Sequence, residues 1–204
     1  MIELYSGTPG SGKSYHATER AYYALRSGKN VIANFALDLP IKPKIRGVFS
    51  FWSNSEITVN SLMTYAEMYH DRHREHQTII ILDEAGIKFN SRKWQDADRM
   101  LWLDFFSQHR KLGFDVILIA QSDQMLDKQI REFIEVEHNH RLMRSAGLTG
   151  VFLSIFWTFA DVRSYYANKM RLGCDFVRLN KRIASMYDSF ATFDNSLTGG
   201  VYDR

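Results

Sequence analysis

The residues with the clearest chemistry lie near the start of the chain. Gly7-Thr8-Pro9-Gly10-Ser11-Gly12-Lys13-Ser14 fits G-x-x-x-x-G-K-[ST] at every fixed position. Glycines let the backbone curl so that several N–H groups point at one anion. A helix opening directly after them adds its positive N-terminal end. In that setting Lys13 reaches the β- and γ-phosphates of a nucleotide, and Ser14 offers a hydroxyl to Mg2+. Gly7 through Tyr15 is the expected nucleotide-binding stretch.

A second constellation is Ile79-Ile80-Ile81-Leu82-Asp83-Glu84-Ala85, four aliphatic residues ending in two carboxylates. Asp83, at the carboxyl end of a buried strand, suits Mg2+ through water. Glu84 points elsewhere and can polarise an attacking water. A kinase that passes phosphate to a hydroxyl has no need of that glutamate, so the pair favours hydrolysis. Val116 to Gln121 is an apolar strand ending in an amide. Beside a phosphate loop, Gln121 is a sensor of the γ-phosphate or its water; otherwise it caps the strand. Arg110, in Gln108-His109-Arg110-Lys111, is a charge donor to a γ-phosphate of its own or a neighbouring subunit. The alternative is compensation of the helix dipole.

Other reactive residue types yield less. His73, His76, His138 and His140 form no metal pattern with identifiable partners. His138 and His140 share a strand face but lack a third ligand, and all four are expected to be solvated. The single Cys174 excludes an intrachain disulfide and a cysteine zinc cluster, and is expected to be a small buried or half-buried side chain.

The chain that must position these groups has 204 residues, 45% hydrophobic and 14% aromatic, which suits one domain with a sizeable core. With 24% charged residues and only 3 Pro it is neither disordered nor collagen-like. The N-terminus lacks the basic and apolar segments of a secretory signal. The longest apolar stretch, Val151 to Ala160, is far short of the roughly 20 residues that cross a bilayer. The net charge is +3; between Lys128 and Arg182 ten Lys/Arg face five Asp/Glu. That excess reads first as a solvated face of mixed charge and second as a surface for a polyanion.

Hydrophobic patterning alternates strands with helices, which argues for a mostly parallel sheet covered on both faces. Strands are expected at Ile2–Tyr5, Val31–Phe35, Thr78–Asp83, Asp115–Ala120 and Phe133–His138. Helices are expected at Ser14–Ser27, Asn60–Arg74, Asp96–Leu112 and Asp123–Glu132, with Leu39–Ser55 irregular. Beyond Arg141, Val151–Thr158 and Arg163–Leu172 read as an antiparallel pair, followed by a short helix near Asn180–Tyr187.

Taken together these residues resemble the N-terminal ATPase domain of the zonular occludens toxin family, which includes assembly proteins of filamentous phages. The resemblance rests on Gly7–Ser14 near the N-terminus, on the Asp83-Glu84-Ala85 ending, and on His109-Arg110-Lys111-Leu112-Gly113-Phe114-Asp115 with its strand to Gln121. Leu126-Asp127-Lys128-Gln129-Ile130-Arg131 is also similar to the family's following segment. The match covers Met1 to Arg144 well and the remainder loosely. Lys111 departs from the pattern, which has a second histidine there, and no membrane span follows. The resemblance implies an α/β P-loop NTPase with strand order 5-1-4-3-2 and a small C-terminal β-hairpin and helix. It divides into an ATPase core at 1–144 and an extension at 145–204 packed on it.

It further implies an ATP- and Mg2+-dependent, oligomeric motor at the cytoplasmic face of the bacterial inner membrane. Single-stranded DNA or phage coat and assembly proteins are the implied partners, with the membrane reached through a missing segment or a partner. A nucleotide-binding scaffold, a DNA-packaging ATPase without a membrane role and a P-loop kinase are the competing readings. ATP turnover without an added acceptor separates hydrolysis from the kinase, and phosphate release with and without single-stranded DNA separates it from the scaffold.

Overall fold

The computed structural model describes residues 1–41, 44–90, 96–145 and 147–187. Its centre is an eight-stranded sheet. In chain order the strands are β1 (Ile2–Ser6), β2 (Asn30–Ala33), β3 (Phe49–Phe51), β4 (Thr78–Leu82), β5 (Phe114–Ile119), β6 (Val136–Leu142), β7 (Phe159–Tyr165) and β8 (Arg171–Val177). Their spatial order is β3-β2-β4-β5-β1-β6-β7-β8. The ladder from β3 to β6 is parallel, and β6-β7-β8 is antiparallel. Without the short edge strand β3, the parallel strands have the expected order 5-1-4-3-2.

Why the strands lie here follows from their residues. Ile79, Ile80, Ile81 and Leu82 are all buried because β4 is covered on both faces. Alternate side chains serve opposite layers. Ile2, Leu4, Ile80, Leu82, Val116 and Leu118 pack with α2 (Val59–Tyr69) and α4 (Asp96–Gln108) through Leu62, Tyr65, Trp102, Phe105 and Phe106. Tyr5, Val31, Ala33, Ile79, Ile81, Ile117 and Ile119 pack instead with Ala17, Ala21, Ala24 and Leu25 of α1 (Lys13–Ser27). The remaining helices are α3 (Ala85–Lys88), α5 (Lys128–Arg131), α6 (Gly147–Leu153) and α7 (Lys181–Ala184).

Several sequence expectations are corrected. Leu39–Ser55 is not wholly irregular: Phe49–Phe51 pairs with β2, a strand too short to show alternation. The fifth parallel strand begins at Val136, because Phe133 and Ile134 complete the turn after α5 through bonds to Ile130 and Arg131. Asp123–Glu132 is broken into a 3-10 turn and α5. The hairpin is present, but its strands are β7 and β8. The apolar run assigned to its first strand starts as α6, and Phe152, Ile155 and Phe156 are exposed. Short apolar runs do not distinguish helix from strand. The 145–204 stretch lies partly outside the described residues. Within them the hairpin continues the core's own sheet beside β6. Among the described residues no helix is long and apolar enough to cross a membrane.

Candidate nucleotide site

β1 ends at Ser6, and the chain turns at once into the glycine loop that opens α1. Two glycines are required for reasons visible in the packing. Gly7 has φ 139°, and a Cβ there would sit 2.4 Å from the His140 carbonyl oxygen. Gly12 has φ 96°, and a Cβ there would lie 2.8 Å from the Phe159 ring. The loop is thus seated against β6 and β7. Lys13 is buried and folds back over the loop, its Nζ donating to the carbonyls of Gly7 (2.8 Å) and Thr8 (3.1 Å). Burial pushes its ammonium below the usual lysine range, while Asp83 and Glu84 pull the other way.

Two strands away in the sheet, β4 delivers the acidic pair. Ser14 Oγ donates to Asp83 Oδ2 at 2.9 Å. Asp83 is fixed by Asn34 at the end of β2: its N–H donates to Asn34 Oδ1 at 2.7 Å, and Asn34 Nδ2 donates to its carbonyl at 2.8 Å. Glu84 stands in the left-handed region (φ 50°), a conformation that costs a non-glycine residue roughly 1–2 kcal/mol. It is held by its N–H donating to Asp83 Oδ1 and by its carbonyl accepting from Ile87, both at 2.8 Å. The sharp turn separates the two carboxylates and starts α3.

Asp83 and Glu84 border the same cavity of about 460 Å3 as Gly10, Gly12, Lys13, Ser14 and Gln121. Gln121 arrives on the end of β5, its carbonyl accepting from the Gly7 N–H at 3.4 Å. The Ser14 hydroxyl and the Asp83 carboxylate, joined by that hydrogen bond, are hard oxygen donors of the kind that would hold magnesium directly or through water. Of the predicted site residues, Gly7, Thr8 and Ser11 belong to the loop without lining this cavity, and Arg110 is not brought to it. Arg110 precedes β5, at the opposite end of the parallel strands, and is ion-paired with Glu135.

The opposite wall of the cavity is absent from the sequence reading. Leu179, Ile183, Ala184 and Tyr187 line it. Tyr187 Oη donates to Asp83 Oδ2 at 3.3 Å, and burial beside Asp83 pushes its phenol up to about 12. The Asn180 N–H donates to Tyr15 Oη at 3.0 Å, tying this wall to α1. Asn34 left only a polar residue inside the expected strand Val31–Phe35, with nothing local to name its partner. Tyr187 left no trace, because its contact depends on how the chain returns.

The histidine reading is corrected. His73 and His76 are exposed, but His138 and His140 are buried against His16 and Asp161. Burial, reinforced for His16 by the neighbouring His140, pushes His16 down to about 3; burial pushes His140 down to about 4. Cys174 is half-buried and free.

A parallel sheet of this order, with a glycine loop between its central strand and a helix and an acidic strand end beside it, defines a P-loop NTPase. The family model of zonular occludens toxin (Zot) matches residues 1–194, and the chain belongs to that family. Gene 1 protein of Enterobacteria phage I2-2 is 33% identical over 141 residues, covering 67% of this chain and 38% of the relative. Gene 1 protein of Enterobacteria phage fd is 23% identical over 219 residues, covering 98% of this chain and 62% of the relative. The chain thus spans less than two thirds of these relatives. Among solved structures, the N-terminal domain of zonular occludens toxin from Neisseria meningitidis superposes with a TM-score of 0.58 at 16% identity, covering 92% of this chain and 98% of that one. The genome packaging NTPase B204 from Sulfolobus turreted icosahedral virus 2, in complex with ATP-gammaS, gives 0.56 at 14% identity, covering 87% and 98%.

Proposed function

We propose that the chain is the Mg2+-dependent ATPase part of a phage-assembly or DNA-translocation motor. The observation that carries this reading is the convergence of the glycine loop, Lys13, the Ser14–Asp83 pair and Glu84 on one cavity. In the proposed chemistry the loop amides and the α1 N-terminus hold the phosphates. Lys13 exchanges its loop carbonyls for β- and γ-oxygens, so its charge meets the terminal phosphate. Ser14 and Asp83 would hold magnesium, which when bound supplies charge neutralisation on the β- and γ-oxygens. Glu84 orients a water in line with the γ-phosphorus and takes its proton as the bond to the leaving diphosphate breaks. Gln121 holds that water or the γ-phosphate by its side-chain amide. Tyr15 and Tyr187 close the wall that faces the rest of the nucleotide.

The motor role draws its support from family membership and from the phage relatives. B204, named a genome packaging NTPase, shares the fold. We propose a homo-oligomer, in which Arg110 serves a neighbouring subunit's nucleotide after leaving Glu135. DNA or coat protein is the proposed cargo, at the inner face of the bacterial membrane.

Phosphate release from ATP, with no added acceptor, tests the reading. Turnover that needs Mg2+ and disappears in Lys13→Ala is expected. Tight ATP binding with no phosphate release, single-stranded DNA included, would overturn hydrolysis and leave a nucleotide-binding scaffold or a kinase.

A further inference from the structure

A second group of donors lies on the α1 face of the sheet, apart from the hydrolytic residues. Strand alternation puts His138 and His140 on one face of β6, Asp161 on the facing side of β7, and Glu3 and Tyr5 on β1. α1 brings His16 onto them. One donor atom each from His16, His138 and Asp161 lie within 4.8 Å of one another. Asp161 Oδ2 is 2.8 Å from His138 Nδ1 and 3.8 Å from His16 Nδ1. His140 Nε2 is 2.7 Å from His16 Nδ1. Asp161 is only 2% exposed, and its Oδ1 makes no hydrogen bond. A carboxylate oxygen buried without a donor calls for a cationic partner. Neither nearby arginine supplies one: Arg20 pairs with Glu3 and Arg163 with Asp175.

For His138 and His140 the outward nitrogens already face partners of the kind that back metal-ligating histidines. His140 Nδ1 lies 2.9 Å from the His138 carbonyl. A carbonyl only accepts, so that nitrogen carries the proton and Nε2 keeps a lone pair. His138 Nε2 faces Glu3 Oε2 at 3.5 Å, which leaves Nδ1 directed at Asp161. An imidazole backed by a carboxylate or carbonyl on its far nitrogen is the usual support of a metal ligand.

We propose that His16, His138 and Asp161, with His140 as a fourth donor, bind a divalent transition metal of the zinc class. Tetrahedral bonds of about 2.0–2.1 Å put donors roughly 3.3 Å apart, and the two Asp161 separations of 2.8 and 3.8 Å bracket that value. Imidazole-rich donors favour such an ion over magnesium or calcium. A cavity of about 320 Å3, lined by Glu3, Tyr5, His16, His138 and Asp161, gives access. The ion fastens α1, whose first residues are Lys13 and Ser14, to β6 and β7.

Titration of chelator-treated protein with Zn2+ by calorimetry, and with Co2+ by visible absorption, tests the site. One equivalent per chain and a tetrahedral Co2+ spectrum are expected. His16→Ala and Asp161→Asn lose at least about tenfold in affinity, and Glu3→Gln, which touches no ligand bond, loses about 10–100-fold. A His73→Ala/His76→Ala double variant binds as the parent does. His16 is partly exposed on a helix, so its variant remains readable by circular dichroism and a cooperative melt if Asp161→Asn does not fold. No uptake by the parent, uptake unchanged in a folded His16→Ala, or uptake lost with His73 and His76 would overturn the proposal.

Discussion

Asp83 and Glu84 are adjacent in sequence yet held in different environments, and that difference carries the proposed chemistry. Asp83 is buried and takes hydroxyl donors from Ser14 and Tyr187, whereas Glu84 is half-buried on a left-handed turn. Glu84→Gln keeps the turn and loses the base. It is expected to retain ATP binding while phosphate release falls by about 10²–10⁴-fold; parent-like release would remove Glu84 from the mechanism. Asn34 fixes Asp83 from both sides of the peptide. Asn34→Ala strands a buried N–H and carbonyl, so denaturant unfolding should reveal a loss of about 1–3 kcal/mol. These residues differ in how readable they were. Lys13, Ser14, Asp83, Glu84 and Gln121 lie where a strand hands over to a loop or helix, so local pattern placed them at one sheet end. Asn34 carries its role through a partner 49 positions away, which no local pattern encodes.

The elements around the loop set a tight fit between α1, its preceding turn and the antiparallel hairpin. Gly12 combines a positive φ with the Phe159 ring at its back. Gly12→Ala should abolish nucleotide binding. Adding Phe159→Ala should restore part of it, the remaining deficit being the roughly 1–2 kcal/mol of left-handed strain. Equal loss in single and double variants would show that the ring contact is immaterial. α7 supplies the opposite wall, anchored by Ile183 and Met186 against Tyr15 and Tyr22. Ile183→Ala is expected to cost about 2–5 kcal/mol in a thermal or denaturant melt, and to weaken nucleotide binding as the wall loosens. The parallel strands were legible because each is a short apolar run bounded by turn residues. The first strand of the hairpin was misplaced because Val151–Thr158 has the same apolar character without being buried.

At the scale of the whole molecule, the phosphate loop and Arg110 occupy opposite ends of the parallel strands. β5 alone separates them by six residues, about 20 Å of extended chain. Under the proposed role Arg110 would reach a nucleotide only across a subunit boundary, and turnover per chain is then expected to rise with protein concentration before levelling off. A rate per chain that stays constant down to the monomer would exclude that role. Long-range closure was the part of the fold that the sequence concealed: Tyr187 meets Asp83 across 104 positions, and His16 meets His140 across 124. Each of those pairs forms only once the sheet has brought its strands together. In the proposed function everything depends on residues 7–14 gripping a nucleotide's terminal phosphates beside Asp83 and Glu84. A crystal structure with Mg2+ and a non-hydrolysable ATP analogue tests it most directly. The γ-phosphate is expected within hydrogen-bond reach of the loop amides and Lys13, with Ser14 and Asp83 about the ion and Glu84 facing the phosphorus. A nucleotide bound elsewhere, or phosphates turned away from the acidic pair, would contradict it.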